Sequence, residues 1–297
     1  MAQKPASKGS SPLRVMPTPN ETPSHQIPSH PFRGASHRMK KEFRVLRLAG
    51  SRGVVVILIL LTATVLLPAE DGAPTHRPAQ SSCILIGFVG GFVHHNNVHH
   101  GPVFLAQHMH QGAPQDAHIQ VFENRHRKTA YNTILRLLDA NHDGVLTNEE
   151  KTRARIILFG QSWGGSAVVM LARELDRAGI PVLLTVQVDS VAKPWQHDGV
   201  IPNNVAAAVN YYQPHGFIHG RPLIRAEDDS KTAILGNYRF DYNQAPVKCD
   251  GMPWIERTLI PGHMHTECDT HLWGQIETLV RQRLEPDPTS LANAPQP

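Results

Sequence analysis

The sequence predicts an α/β fold: a doubly wound, mostly parallel sheet with helices on both faces. Three observations carry this. Continuous apolar runs of strand length recur along the chain, as expected of strands buried on both sides. Apolar-periodic helical segments alternate with them. The chain has 297 residues, enough for one α/β domain with a large core.

The elements follow in order. CILIGFV (Cys83–Val89) is the first strand and HIQVFEN (His118–Asn124) the second. ARIILFG (Ala154–Gly160) is the third and PVLLTVQVDS (Pro181–Ser190) the fourth. VFLAQHMHQ lies between the first two as a weak helical pattern. TAYNTILRLLDA places Tyr131, Ile134, Leu135, Leu137 and Leu138 on one helical face. SAVVMLARELDRAG ends at Gly179, a C-cap signal. Beyond Asp189 the rhythm loosens. Asn203–Val205 and Asn210–Gln213 suggest a helix over the sheet or part of a cap. ERTLIPG then reads as a last strand and HLWGQIETLVRQRL as the closing helix.

The ends differ from this body. Residues 1–52 carry ten Lys/Arg against two Asp/Glu, leaving 19 basic and 23 acidic residues for the rest. The basic excess thus belongs to a Pro- and Ser-rich tail expected to be disordered, and argues for no nucleic-acid partner. Residues 53–69 contain the apolar run VVVILILLTATVLL (Val54–Leu67), read as a signal peptide or membrane anchor. It predicts a domain exported or anchored outside the cytosol, touching membrane only through this segment. Met39 opens a stretch shaped like an ordinary secretory signal, so translation from Met1 or from Met39 both fit. Residues 70–80 form a linker, 81–284 the folded domain, and 285–297 a frayed tail. Among Cys83, Cys249 and Cys268, the expected disulfide is Cys249–Cys268, with three free thiols as the alternative.

Gly160-Gln161-Ser162-Trp163-Gly164-Gly165 follows a strand and opens a helix. A strand turning abruptly into a helix holds the central Ser in a strained conformation, and small neighbours let backbone approach. The bend pushes Oγ above the sheet, at a helix N-terminus that favours negative charge. Ser162 is therefore the candidate nucleophile.

With this motif, with Val89–Phe92 (VGGF) and with the order of acid and base below, the chain resembles the α/β-hydrolase superfamily of serine esterases, lipases and thioesterases, over about Cys83 to Leu284. The resemblance implies hydrolysis of a carboxylic ester or thioester, of a small molecule or lipid, through an acyl-enzyme. It also implies an oxyanion hole from the backbone N–H groups of Phe92 and Trp163. Gly90-Gly91 stands where many members have His-Gly. A serine needs a base, and the base an orienting acid. The base should follow the last strand, where His263, His265 and His271 stand. His265 is favoured, by likeness to members with H-x-x-x-D (His265 to Asp269). Asp189, ending the strand after the nucleophile helix, is the favoured acid. Asp228, Asp229 and Asp241 serve the arrangement one strand later.

Asp139 to Glu150 reads DANHDGVLTNEE, an EF-hand-type loop. Asp139, Asn141 and Asp143 occupy positions 1, 3 and 5, Gly144 the bend, Val145 the carbonyl position, Thr147 position 9 and Glu150 the bidentate position 12. The loop is single and its exit is a core strand, so a structural Ca²⁺ staple is expected rather than a sensor. No organic cofactor is expected. His94, His95, His99 and His100, with His108 and His110 beyond, could bind a metal but read better as a polar cleft rim. The competing functions are a catalytically silent hydrolase-like binding protein stabilised by calcium, and a metal-dependent hydrolase using these histidines.

Overall fold

The computed structural model describes residues 83–285 except 114–115, 154 and 245–246. The basic tail, the apolar run, the linker and the C-terminal tail lie outside the described residues. The elements are β1 (Cys83–Val89), α1 (Gly101–His110), β2 (His118–Glu123), α2 (Arg127–Leu138), α3 (Asn148–Arg153), β3 (Arg155–Gln161), α4 (Trp163–Arg177), β4 (Leu184–Val188), β5 (Val200–Ile201), β6 (Ala207–Tyr212), β7 (Arg225–Ala226), β8 (Ala233–Arg239), α5 (Trp254–Leu259), α6 (Pro261–Cys268) and α7 (Thr270–Leu284).

Six strands form one sheet in the order β2-β1-β3-β4-β6-β8, and every pairing in it is parallel. Alternation along β1 shows why its sequence is apolar throughout. Ile84, Ile86 and Phe88 face a core shared with α2 and α4. Leu85 and Val89 face the opposite core, shared with α1 and α7. Both faces are covered, so both sets of positions must be apolar. The fold is doubly wound α/β, and its loops at the C-terminal strand ends gather the candidate functional side chains. No helix of the described residues is long and apolar enough to cross a membrane.

Two expectations are corrected. NYYQ is not helical: Asn210-Tyr211-Tyr212 completes β6, a central strand. Ala207, Ala208 and Val209 are buried on both faces. The polar Asn210 is tolerated there because its amide reaches Arg221 O (2.9 Å) and Asn237 Oδ1 (3.1 Å). ERTLIPG is not a strand. Pro261 cannot donate to a ladder but suits the first turn of a helix, and it opens α6 directly after α5. The last strand is instead β8, whose exposed and half-buried residues give a weak apolar signal. A disulfide joins Cys249 to Cys268 with Cα atoms 5.3 Å apart. Cys83 is buried and free.

Candidate active site at the C-terminal strand ends

The turn from β3 into α4 has the form its glycines permit. Ser162 sits at φ 56°, ψ −126°, a conformation that costs a non-glycine residue about 1–3 kcal/mol. A Cβ on Gly160 would meet Gly164 O at 2.5 Å. One on Gly164 would drive into the Phe88 carbonyl of the neighbouring strand, and one on Gly165 would meet Ser190 Cβ at 2.8 Å. Main chain fills the space at Gly160 and Gly164 and the Ser190 side chain fills it at Gly165, so the bend has no room for side chains there. The strained Ser162 is braced by Ser162 N–H donating to Val188 O (3.0 Å) and by Val191 N–H donating to Ser162 O (3.1 Å). Ser162 is 8% exposed, and its hydroxyl is not among the buried unpartnered atoms.

Asp189 leaves β4 with φ 41° and is fully buried. Its carboxylate is saturated. Oδ1 accepts from Gly220 N–H (2.6 Å) and Gln213 N–H (3.2 Å). Oδ2 accepts from the Gln213 amide (3.1 Å) and from His263 Nδ1 (2.6 Å). A buried charge needs such a shell, and this one aims one oxygen at an imidazole. With Nδ1–H donating to Asp189, the His263 Nε2 lone pair is left as the acceptor. It lies 3.3 Å from the Gln161 amide nitrogen, which also donates to Thr266 Oγ1 (3.2 Å).

His263, not His265, therefore meets Asp189. Both lie on α6 rather than in a loop. Two residues apart on a helix is about 200° of rotation, so only one can face the acid. His265 turns to the other side, its ring edge-on to Tyr242 with centroids 5.3 Å apart. Its Nδ1 is buried without a partner, and burial pushes its pKa down. A cavity of about 210 Å³ opens on that side, lined by Lys248, Asp250, Arg257 and His265 among others, but not by Ser162, Asp189 or His263. Asp269, expected from the H-x-x-x-D likeness, instead caps α7, accepting from the His271 and Leu272 N–H groups. It also accepts from the Tyr242 hydroxyl (2.9 Å). Exposed His271 pairs with Gln275 on α7.

The other acid candidates lie elsewhere. Asp228 accepts from Ser230, and Asp229 is exposed. Asp241 meets His215 Nε2 (3.1 Å) and Arg239 (3.0 Å). The His215 hydrogen bond, despite some burial, holds its carboxyl below the usual range. Gln213 and Gly220, which hold Asp189, carry no signal in sequence, since neither belongs to a motif.

The glycine pair after β1 abuts the nucleophile. A Cβ on Gly90 would stand 2.8 Å from Ser162 Cβ and from Gln161 Oε1. The Phe92 and Trp163 rings meet edge to face at 5.5 Å, so the residues of the two expected oxyanion donors are neighbours. The Phe92 N–H has no backbone acceptor among the described residues.

The histidine loop gathers around Glu123, which is 5% exposed. His95 Nδ1 approaches it at 3.0 Å, His126 Nδ1 at 2.6 Å and His94 Nδ1 at 3.7 Å. Burial alone would raise the Glu123 pKa, but hydrogen bonds from His95, His126 and backbone N–H outweigh it and hold it at about 2. His99 packs against Gly251, His100 pairs with Glu267 (3.1 Å), and His108 with Glu277 (3.0 Å); His110 is exposed.

The EF-hand-type loop bends where expected, with Gly144 at φ 80° and its N–H on Asp139 Oδ2 (3.0 Å). Glu150 is buried; its oxygens accept from Ala140 N–H (3.0 Å) and Thr147 N–H (2.9 Å). Asp143 accepts from Val145 N–H (2.7 Å) and the Asn141 amide (2.9 Å). Asp139 Oδ1 is buried without a partner. Among the described residues no three His, Cys, Asp or Glu side chains converge to hold a metal ion.

No family model and no curated protein matches the chain. Solved structures similar to it include a RedJ structure with a polyethylene glycol molecule bound in the active site. That one is 12% identical, covering 73% of this chain and 98% of the other at a TM-score of 0.34. The RedJ thioesterase of the prodiginine pathway of Streptomyces coelicolor is 11% identical, covering 66% and 98% at 0.32. YbtT, a type II thioesterase of the yersiniabactin pathway, is 10% identical, covering 63% and 96% at 0.29.

Proposed function

We propose that this chain is a serine hydrolase that cleaves a carboxylic ester or thioester through an acyl-enzyme. The observation that carries the reading is the buried 2.6 Å contact of His263 Nδ1 with Asp189, next to a serine held at positive φ. In this reading Asp189 fixes the imidazole tautomer and steadies the imidazolium. His263 Nε2 takes the Ser162 proton as Oγ attacks the carbonyl carbon. The Phe92 and Trp163 N–H groups receive the charge that develops on the carbonyl oxygen. His263 then gives its proton to the departing alkoxide or thiolate, leaving Ser162 acylated. Water, deprotonated by the same nitrogen, releases the acid and restores the serine.

Ser162 Oγ and His263 Nε2 form no hydrogen bond among the described residues, and the Gln161 amide rests against that nitrogen. Such bonds tighten when substrate binds. The same contact favours the second reading, a silent binding protein in which Gln161 occupies the base. Labelling by a fluorophosphonate probe separates the two. The hydrolase reading expects labelling of the wild type that disappears in Ser162→Ala; an unlabelled wild type refutes it.

The calcium staple belongs to the same proposal. Asp139, Asn141, Asp143, Val145, Thr147 and Glu150 supply an all-oxygen set suited to Ca²⁺, and the unmet Asp139 Oδ1 supports it. Binding would exchange the N–H partners of Asp143 and Glu150 for the cation. Its role would be to tie α2 to the start of β3, away from the chemistry. Chelation should lower the unfolding midpoint and leave activity at low temperature unchanged; equal midpoints with Ca²⁺ and with EDTA would remove the staple. Export, resting on residues 53–69, completes the proposal.

A further inference from the structure

We propose that Asn124 and Lys193 are positioning residues for the oxyanion hole, aiming the Phe92 N–H into the cleft. This rests on the hydrolase reading above. Asn124 lies just beyond β2 and is 5% exposed. Its amide nitrogen donates to Gly91 O at 2.7 Å and to Val89 O at 3.2 Å. The Gly91 carbonyl and the Phe92 N–H belong to one peptide unit. In a planar trans peptide they point in opposite directions. Drawing the carbonyl back toward Asn124 therefore turns the N–H outward. That peptide follows Gly90, whose packing against Ser162 Cβ leaves it beside the nucleophile.

Lys193 fixes the amide. Its Nζ lies 2.5 Å from Asn124 Oδ1. An ammonium only donates, so Oδ1 must face it and the NH₂ must face the two carbonyls. The flipped amide would set oxygen against both carbonyls and hydrogens against the cation. The same ammonium stands 4.8 Å from the Trp163 ring centroid, and Trp163 supplies the other expected donor. Lys193 has no carboxylate partner among the described residues. Its loop is pinned by Val191 N–H on Ser162 O. One cation thus braces both arms, and the chain of polarised bonds from Nζ through the amide to Gly91 strengthens the Phe92 donor.

The test is steady-state hydrolysis of p-nitrophenyl butyrate by the full chain. Turnover is counted per active site titrated with a fluorophosphonate, which removes misfolded protein from the comparison. Losing an oxyanion donor lowers kcat by about 10²–10³-fold; a misaimed one should lower it by about 10–100-fold in Asn124→Ala, with KM within about threefold. Lys193→Met should lower kcat by about tenfold, and Lys193→Arg, which keeps the charge, should restore most of it. Lys193 is half-buried, so its variants keep the test open if Asn124→Ala fails to fold. Values of kcat per titrated site within twofold of wild type in Lys193→Met, or equal losses in Lys193→Met and Lys193→Arg, overturn the proposal. A wild type that neither labels nor turns over would instead refute the hydrolase reading, and this inference with it.

Discussion

Asp189→Asn replaces one carboxylate oxygen with an NH₂ group and should nearly abolish the proposed hydrolysis. The Asn oxygen can keep the bonds from Gly220 N–H and Gln213 N–H. The new NH₂ replaces the oxygen that accepted from the Gln213 amide and from His263 Nδ1. Two donor–donor conflicts result. Gln213 cannot relieve its own by flipping, because its nitrogen also donates to Ile218 O (3.1 Å) and its oxygen accepts from His215 N–H (2.8 Å). One unmet buried donor costs about 1–3 kcal/mol, a fall of several degrees in the unfolding midpoint for a domain of this size. His263 can relieve its conflict by shifting its proton to Nε2. That nitrogen then cannot accept from Ser162. The same exchange in the serine-protease template lowers kcat by about 10⁴-fold, equivalent to about 5 kcal/mol of barrier. The assay is kcat on a p-nitrophenyl ester, with the unfolding midpoint measured in parallel. A variant that stays folded with kcat within about tenfold of wild type would refute the assignment of Asp189 and the tautomer reasoning together.

Three further outcomes are expected. His263→Ala should lose turnover by a factor on the order of 10⁴ or more, whereas His265→Ala should stay within about tenfold; the reverse pattern would restore His265 as the base. Gly164→Ala forces a Cβ into the Phe88 carbonyl, main chain that cannot yield, so it should destabilise by about 3 kcal/mol and abolish fluorophosphonate labelling; a stable, labelled variant would refute the packing account. At His100 burial favours the neutral ring, but the Glu267 carboxylate 3.1 Å from its Nδ1, with the charge of Glu256, outweighs it and raises its pKa. That stabilisation is full below the ordinary imidazole pKa and is lost as pH rises through the folded value. The unfolding midpoint should fall between about pH 6 and 8 more steeply in wild type than in Glu267→Gln, and parallel curves would refute the pair's contribution.

The features legible in the sequence are those fixed by neighbours in the chain. The glycines of GQSWGGS, the apolar run before them and the periodic helix after them specify a tight strand-to-helix bend. The runs Cys83–Val89 and Arg155–Gly160 announce central strands because both of their faces are covered. The DANHDGVLTNEE bend is set by its own hydrogen bonds, Gly144 N–H on Asp139 among them. β6 was harder to read, since Asn210 and two tyrosines interrupt its apolar pattern and only contacts with Arg221 and Asn237 make the burial tolerable.

Tertiary structure decided which groups meet. Whether His263 or His265 faces Asp189 depends on the rotational phase of α6, set by where Pro261 starts it, and a one-residue change of that start would turn the ring away. Gln213 and Gly220 reach Asp189 from the segment after β6, and Asn124 and Lys193 meet across 69 residues of chain, so no local spacing encodes those meetings. Chain order records what each segment prefers by itself; the partners of a buried carboxylate or amide are chosen only when separate strand ends pack side by side and every polar atom between them must find one.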